Sequence, residues 1–362
     1  MLIYIITFLI SLFFVYKAQL SKSIVLSLLF LLFGAAIPSF VAGVRDMSIG
    51  VDINVYAIPC YDLAMATDFS DFSTLSIRWG VVFPLMIYLG YIMGSLSWGL
   101  GFVEFFICIN VLIALYIQRR KMSMAVGYFL FLFLFYNMSL NLMRQSMALS
   151  CCVLAFSLMI NAKYKISLIP LYLAFLSHSS VVIFGLLLME FYFLVINKKK
   201  KGVYKMVFYI GLPLVVILYQ KIMNLAIQWG VLTDHYEAYS EGGNTFFSYT
   251  NTLSQLCFLI LMLLLANKNR MFKDLKPFSL VAIYSSLVFT TLSTINVWAF
   301  RAALYIEIIY LIIFPLVIKT TSNRLLVKSF YVFVVLLWFY DSIINGVNGT
   351  YPYSSEVLPS FF

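Results

Sequence analysis

The sequence predicts an all-α fold, namely a polytopic integral membrane helical bundle of about 12 transmembrane helices plus a re-entrant or interfacial helix. Of its 362 residues, 63% are apolar and only 10% are charged, whereas a soluble domain carries about 25% charged residues. Apolar stretches of roughly 16 to 22 residues follow one another between short polar breaks, as a hydrocarbon layer about 30 Å thick requires. These stretches show no period-2 alternation, so each span is predicted to satisfy its backbone polar groups as a helix.

The predicted spans run through the whole chain, and no soluble domain or internal repeat separates them. We therefore expect a single membrane domain over residues 1–362. The first apolar stretch lacks a preceding basic region and a small-residue cleavage site, so it is predicted to be a retained span rather than a signal peptide. The spans are predicted near residues 1–16, 24–43, 97–117, 122–138, 142–160, 166–177, 179–196, 205–226, 251–267, 277–296, 300–318 and 327–344.

The basic residues predict how the spans are oriented. Nineteen of the 24 Lys and Arg residues lie in six short segments between spans, which the positive-inside rule places in the cytoplasm. Because they do not gather on one soluble face, they do not indicate a nucleic-acid partner. Most acidic residues occupy the other loops, so both termini and two larger loops, at about 45–96 and 227–250, are predicted to be non-cytoplasmic.

Two segments do not fit simple spans. Only 32 residues separate Lys165 from Lys198, although two full spans need about 40. We therefore predict an early turn near Ser177–Ser180, within the outer half of the membrane, where backbone outside a helix must be buried by protein or reached by water. Trp79–Gly94 is apolar, yet a crossing there would invert the topology. It is predicted to be the re-entrant or interfacial helix.

Ionisable residues at membrane depth are the candidates for function, because they are costly in lipid. Arg45, Arg144, Arg301 and His178 all project toward the outer end of the bundle from separate predicted helices. The planar guanidinium fork binds phosphate through two donors at once. Converging arginines therefore predict a site for an anionic headgroup, such as a diphosphate, at the outer leaflet. His178 is interpreted as a general base or as a further donor to phosphate.

Each of these candidates also has a simpler interpretation. A single arginine near a helix end often snorkels to the interface, which applies most to Arg78. His178 is alternatively a neutral packing histidine, and Asp52 is alternatively a turn carboxylate that partners Arg45. These alternatives stay open on the sequence alone.

A stripe of polar side chains surrounds Arg144. Asn141, Arg144 and Gln145 share a helical neighbourhood, and a stripe of this density would be costly against lipid. It is therefore predicted to face protein or a substrate. Acidic residues inside apolar runs are instead predicted to form helix–helix hydrogen bonds, and these are Glu104, Glu190 and Glu307.

The sequence also argues against several kinds of chemistry. It has no Gly-x-x-x-x-Gly-Lys-Ser/Thr loop for an ATP motor. Two histidines without a Cys-x-x-Cys pair predict no metal site, and no cofactor is expected. Five cysteines, four of them in apolar runs, are predicted to be buried small side chains. The cytoplasmic loops are too short for a nucleotide-sugar domain, so any chemistry is predicted to face outward and to use an activated, lipid-borne substrate.

Several motifs are more specific together, in their order along the chain, than each is alone. They are Arg45-x4-Gly50-Val51-Asp52-x3-Tyr56; Asn141-Leu142-x-Arg144-Gln145-Ser146-x-Ala148; Ser177-His178-Ser179; Phe300-Arg301-x3-Tyr305; and Tyr351-Pro352-Tyr353. Over most of the chain this pattern resembles the EpsG-like family of bacterial polysaccharide polymerases, which belongs to the broader Wzy type. The turn departs in one respect, because it reads Ser-His-Ser-Ser where an aromatic residue is expected before the histidine.

The resemblance implies a metal-independent glycosyltransferase at the outer face of the bacterial inner membrane. A growing glycan leaves its undecaprenyl-diphosphate carrier and joins a hydroxyl group of a new lipid-linked repeat unit. The resemblance implies that Arg144 and Arg301 hold the diphosphate and that His178 is the base or a phosphate donor. The implied partners are the lipid-linked oligosaccharide, membrane lipid and a candidate chain-length regulator. The substrate-binding residues implied are Arg45, Asp52, Tyr56, Arg78, Asn141 and Gln145.

Two other functions compete with this one. A flippase or transporter of lipid-linked oligosaccharide would favour charged residues through the full membrane depth, together with paired repeats and broken helices. A membrane acyltransferase acting on glycans would favour polar residues near the cytoplasmic face as well. The one-sided placement of the polar residues favours the polymerase over both.

Overall fold

The computed structural model describes residues 1–68, 72–197, 201–228, 245–266, 273–294 and 297–358. Within these ranges the chain is helical, and no strand is present. The prediction of an all-α fold is therefore confirmed. The α-helices of the described chain are α1 (Leu2–Leu20), α2 (Ile24–Gly43), α3 (Ile58–Ala66), α4 (Phe72–Trp79), α5 (Val82–Ile92), α6 (Leu96–Ile117), α7 (Met124–Leu134), α8 (Tyr136–Ser139), α9 (Met143–Ile160), α10 (Tyr164–Ser177), α11 (Phe184–Phe191), α12 (Lys201–Gln228), α13 (Thr245–Ala266), α14 (Lys276–Leu292), α15 (Val297–Glu307), α16 (Tyr310–Thr320) and α17 (Arg324–Trp338).

Seven helical segments of the described chain are long and apolar enough to cross a membrane, and the broken pair α15 and α16 brings the number to eight. Shorter apolar helices, among them α7, α10 and α14, coincide with further predicted spans. The polytopic membrane fold is therefore confirmed. α5 has 11 residues and is about 16 Å long; whether it is the re-entrant or interfacial helix expected there stays a prediction.

The contacts divide the chain into two compact units. The first unit contains residues 1–181, 310–319 and 329–362, and the second contains residues 182–309 and 320–328. The first unit is therefore discontinuous in sequence. Each unit is described by itself below. The predicted outer loop at about 227–250 falls largely on residues outside the described ranges.

The loops that the charge pattern assigns to the cytoplasm lie together at one end of the first unit. Gln19 joins the loop after α6, because its Oε1 accepts a hydrogen bond of 2.8 Å from the Met124 N–H. The ammonium group of Lys121 donates to Asn161 Oδ1 over 2.7 Å, and that of Lys319 donates to the Arg120 carbonyl over 2.8 Å. The basic loops of this unit thus meet at one end, as the alternation of spans requires.

Close helix crossings fix the outer part of the first unit. Gly90 of α5 faces Gly99 of α6 so closely that an added Cβ would lie 2.3 Å from the Gly99 nitrogen. Gly43 at the end of α2 faces α6 in the same manner, since an added Cβ would lie 2.8 Å from the Ser97 carbonyl oxygen. Small residues permit this approach, which is the usual source of helix association inside a membrane.

In the second unit, two serines of α14 bind the carboxyl groups of neighbouring helices. Ser285 Oγ donates to Glu190 of α11 over 2.6 Å, and Ser286 Oγ donates to Glu307 of α15 over 2.7 Å. The predicted helix–helix bonding of these two acidic residues is therefore confirmed. Buried hydroxyl–carboxyl bonds of this kind satisfy groups that are costly in an apolar interior.

Candidate functional site

The candidate site surrounds a break between α7 and α9 of the first unit, at residues 135–142. The sequence predicts one span over 122–138, but α7 ends at Leu134, the single turn α8 covers Tyr136–Ser139, and α9 begins at Met143. Asn137 and Ser139 lie in the break. The Asn137 side chain is held by two tertiary contacts: its amide nitrogen donates to Thr350 Oγ1 over 3.0 Å, and its amide oxygen accepts from Trp338 Nε1 over 2.8 Å. The structure therefore corrects the predicted continuous span to a broken one.

Arg144 is the second residue of α9 and is partly exposed. Its guanidinium carbon lies 4.4 Å from the centre of the Tyr56 ring, which belongs to the helical turn Ile53–Ala57. This distance is typical of a cation–π contact. The start of α9 adds the positive end of a helix dipole. Two predicted site residues, 88 positions apart, thus form one positively charged surface.

Asn141 and Asp52 connect the outer loop to the break. Asn141 Oδ1 accepts a hydrogen bond of 3.1 Å from the Asp52 N–H. Gly50 precedes this contact, and an added Cβ on it would lie 2.7 Å from the Leu140 carbonyl oxygen. Gly50 also donates its N–H to the Gly349 carbonyl over 3.0 Å. The segment around residues 50–52 is therefore held against the residues that immediately precede Arg144.

Arg45 contacts the backbone of the break and is only 3% exposed. Its Nη2 donates to the Leu140 carbonyl over 2.8 Å and lies 3.6 Å from Met143 Sδ. Burial lowers the pKa of this guanidinium group, and the charge of Glu104 opposes that shift. In the structure Arg45 holds the backbone of the break, while its predicted contact with a substrate stays a prediction. Gln145 is also buried, at 3% exposure, on α9.

His178 occupies the short turn that the loop length predicts. α10 ends at Ser177, and His178 is extended, with φ −159° and ψ 126°. Its Nδ1 accepts the Ser180 N–H over 3.2 Å and lies 2.6 Å from Ser180 Oγ. Because Nδ1 accepts a backbone hydrogen bond, the neutral ring carries its proton on Nε2. The ring is thereby oriented as a donor through Nε2.

The turn lies at the same end of the unit as Arg144. α9 and α10 pack together and run in opposite directions across a short connection. α9 has 18 residues and α10 has 14, so they are about 27 Å and about 21 Å long. His178 follows α10 at the end of the unit where α9 begins.

The outer segment before α5 is tied to the same turn. The Val81 N–H donates to the Leu176 carbonyl over 2.8 Å. Arg78 is near the end of α4, three residues earlier in the chain. Its side chain lies outside the described part of the structure, so its predicted role stays a prediction.

Arg301 belongs to the second unit, where it lies on α15 and is partly exposed. Its predicted action beside Arg144 stays a prediction. Among the described residues, no group of three or more His, Cys, Asp and Glu side chains is arranged to hold a metal ion.

A C-terminal segment, residues 345–358, completes the end of the first unit opposite its basic loops, and the residues alone do not predict this role. The Asp46 N–H donates to the Ser354 carbonyl over 2.9 Å. Tyr353 donates its hydroxyl to the Val41 carbonyl over 2.9 Å, and burial raises the pKa of Tyr353 to about 12, so this donor keeps its proton. Tyr4 donates to the Thr350 carbonyl over 2.5 Å. The signal in the sequence is the Tyr-Pro-Tyr motif.

Comparison with known proteins identifies a family. A sequence model of one protein family, described as the EpsG family, matches residues 28–355. This range contains all the predicted site residues, from Arg45 to Arg301. No curated protein and no solved structure matches the chain.

Proposed function

Because the chain belongs to the EpsG family, we propose that it is an oligosaccharide repeat-unit polymerase of the Wzy type. The family implies a polysaccharide-polymerase-like membrane protein, and the proposal adds the donor, the acceptor and the membrane face. The donor is a glycan on an undecaprenyl-diphosphate carrier, and the acceptor is a new lipid-linked repeat unit. The site faces the non-cytoplasmic side of the bacterial inner membrane.

The contact between Arg144 and Tyr56 is the observation that supports this proposal most. In the transfer, the bond between the donor sugar and its diphosphate breaks, and the diphosphate leaves with the bonding electrons. An acceptor hydroxyl forms the new glycosidic bond, and its proton ends on an oxygen of the departing diphosphate. The main electrostatic requirement is positive charge beside the departing diphosphate. Arg144 supplies this charge, Tyr56 holds its guanidinium plane, and the start of α9 adds a favourable dipole for an anion.

The other residues receive roles from their positions. Asn141 and the backbone at Asp52 form the wall beside Arg144. Arg45 holds the break through its hydrogen bond to the Leu140 carbonyl. His178 is assigned as a donor to phosphate through Nε2, because its Nδ1 already accepts from Ser180. Arg301 is assigned to the same diphosphate on the family resemblance.

Glutamine and alanine variants of His178 test whether this ring donates to phosphate or acts as a base. The Gln side chain has an amide N–H near the position of Nε2 but cannot accept a proton as a base. We expect His178→Ala to lower the rate of polymer formation about 30-fold, in line with the loss of one hydrogen bond to a charged group. We expect the rate of His178→Gln to be about tenfold higher than that of His178→Ala. Radiolabelled polymer formed in isolated membranes measures both. Equal rates for the two variants, at equal protein amounts, would show that the donor role is wrong.

The surface polysaccharide of a deletion strain tests the function itself. We expect deletion to leave a single exported repeat unit on its acceptor, and the wild-type gene to restore a ladder of chain lengths on a gel. Loss of every exported repeat unit would instead mean that export had failed before polymerisation. That result would replace the polymerase by a flippase.

A further inference from the structure

Glu104 lies behind the helix break and is not part of the site described above. It belongs to α6 and is 2% exposed. Ser139 Oγ lies 2.9 Å from both of its carboxyl oxygens, and Cys108 Sγ lies 3.5 Å from Oε1. Ser139 is the last residue of α8. One carboxyl group of α6 therefore binds the exact point at which the α8 turn ends.

The next residue of the break, Leu140, is held by a second buried polar side chain. Arg45 Nη2 donates to the Leu140 carbonyl over 2.8 Å. A carbonyl outside a helix at this depth is costly when it lacks a donor. Two consecutive residues of the break are therefore held by buried polar groups, Ser139 by Glu104 and Leu140 by Arg45.

We propose that Glu104 is a positioning residue that holds the break so that Asn141 and Arg144 present their side chains to the substrate. This inference rests on the proposed function. Asn141 follows Leu140 directly, and only Leu142 and Met143 separate it from Arg144. A shift of the break therefore moves the guanidinium group off the Tyr56 ring. Misplacement of about 1 Å at a catalytic group is enough to slow an enzyme strongly.

Kinetics of the purified full-length protein with a lipid-linked repeat unit test this role. Glu104→Gln keeps the shape but leaves one carbonyl oxygen in place of the two carboxyl oxygens that lie beside Ser139 Oγ. We expect kcat to fall about tenfold, with less than a threefold change in KM, because the lost interaction acts on a group that stabilises the transition state. Glu104→Asp retains the carboxyl group and is expected to recover most of kcat. The matched control is Glu190→Gln in the second unit, whose carboxyl group also binds a serine and whose loss is expected to leave kcat unchanged.

The double variant separates positioning from a simple loss of packing. If Glu104 acts through Arg144, then Glu104→Gln causes no further loss of kcat in the Arg144→Ala protein. A further tenfold loss in that background, or wild-type kcat in Glu104→Gln, would overturn the inference. If Glu104→Gln does not fold, Ser139→Ala tests the same linkage with the Glu104 carboxyl group left in place. Failure of the wild-type protein to extend any lipid-linked unit would overturn the proposed function instead.

Discussion

Replacement of Arg144 with alanine is expected to lower the rate of polymer formation at least about 100-fold, the loss typical of removing one group that stabilises developing negative charge. Arg144 is partly exposed at the start of α9 and is stacked on Tyr56. Its loss removes the charge beside the departing diphosphate while leaving the buried contacts of the break in place. Surface polysaccharide ladders in the deletion strain and polymer synthesis in isolated membranes measure the effect.

Two variants serve as controls for this experiment. Arg144→Lys keeps a positive charge but loses the planar fork and its stacking, so an intermediate loss of about tenfold is expected. Arg119→Ala removes an arginine that also stacks on a tyrosine, with its guanidinium carbon 3.8 Å from the centre of the Tyr116 ring. Arg119 lies at the opposite end of the first unit, and its loss is expected to leave the ladder unchanged. A normal ladder from Arg144→Ala would remove Arg144 from the site.

Gly50→Ala is expected to destabilise the first unit by about 3 kcal/mol and to abolish polymer formation. Gly50 has φ +92°, a conformation that costs a side chain roughly 1–2 kcal/mol. The new Cβ would also lie 2.7 Å from the Leu140 carbonyl oxygen, and overpacking of this kind costs about 1–3 kcal/mol more. The backbone atom it strikes is the partner of Arg45, so the displacement reaches Asn141 and Arg144. Thermal unfolding in detergent and the membrane synthesis assay measure the two effects.

Gly94→Ala is the matched control. Gly94 has φ +90°, almost the same as Gly50, but an added Cβ would meet nothing within 4 Å. It therefore isolates the conformational cost, about 1 kcal/mol, from the collision with the break. If the two variants lose the same stability and both form polymer, the outer loop is not held against Leu140 in the way described.

The spans can be predicted from the sequence because lipid imposes one length and one composition on each of them. The same rule predicts the short turn at Ser177–Ser180, since too few residues remain there for two full crossings. It predicts an interruption at residues 139–141, between the predicted spans 122–138 and 142–160, but it does not predict that α7 ends already at Leu134, because the residues there are apolar enough to continue a helix. What interrupts it is tertiary, namely the contacts of Asn137 with Trp338 and Thr350.

The sequence names candidate residues for the site, but it does not give their contacts. The motif around Arg144 indicates a polar site because its stripe would be costly in lipid. The contact of Arg144 with Tyr56 and the hydrogen bond of Arg45 to Leu140 depend on which helices become neighbours. Spacing along the chain does not predict which helices these are. Glu104 shows the same limit: its pairing with another helix is predictable, whereas its particular partner, Ser139, is not.

The discontinuity of the first unit determines the order in which the protein is assembled during synthesis. Tyr4 and Thr350 are 346 residues apart and share a hydrogen bond, and the second unit is synthesised between them. The N-terminal helices therefore lack these contacts until the segment 345–358 has been synthesised. Contacts this distant in sequence form late. A nascent chain stopped before residue 345 lacks the hydrogen bonds that Thr350, Tyr353 and Ser354 make with the N-terminal part of the unit.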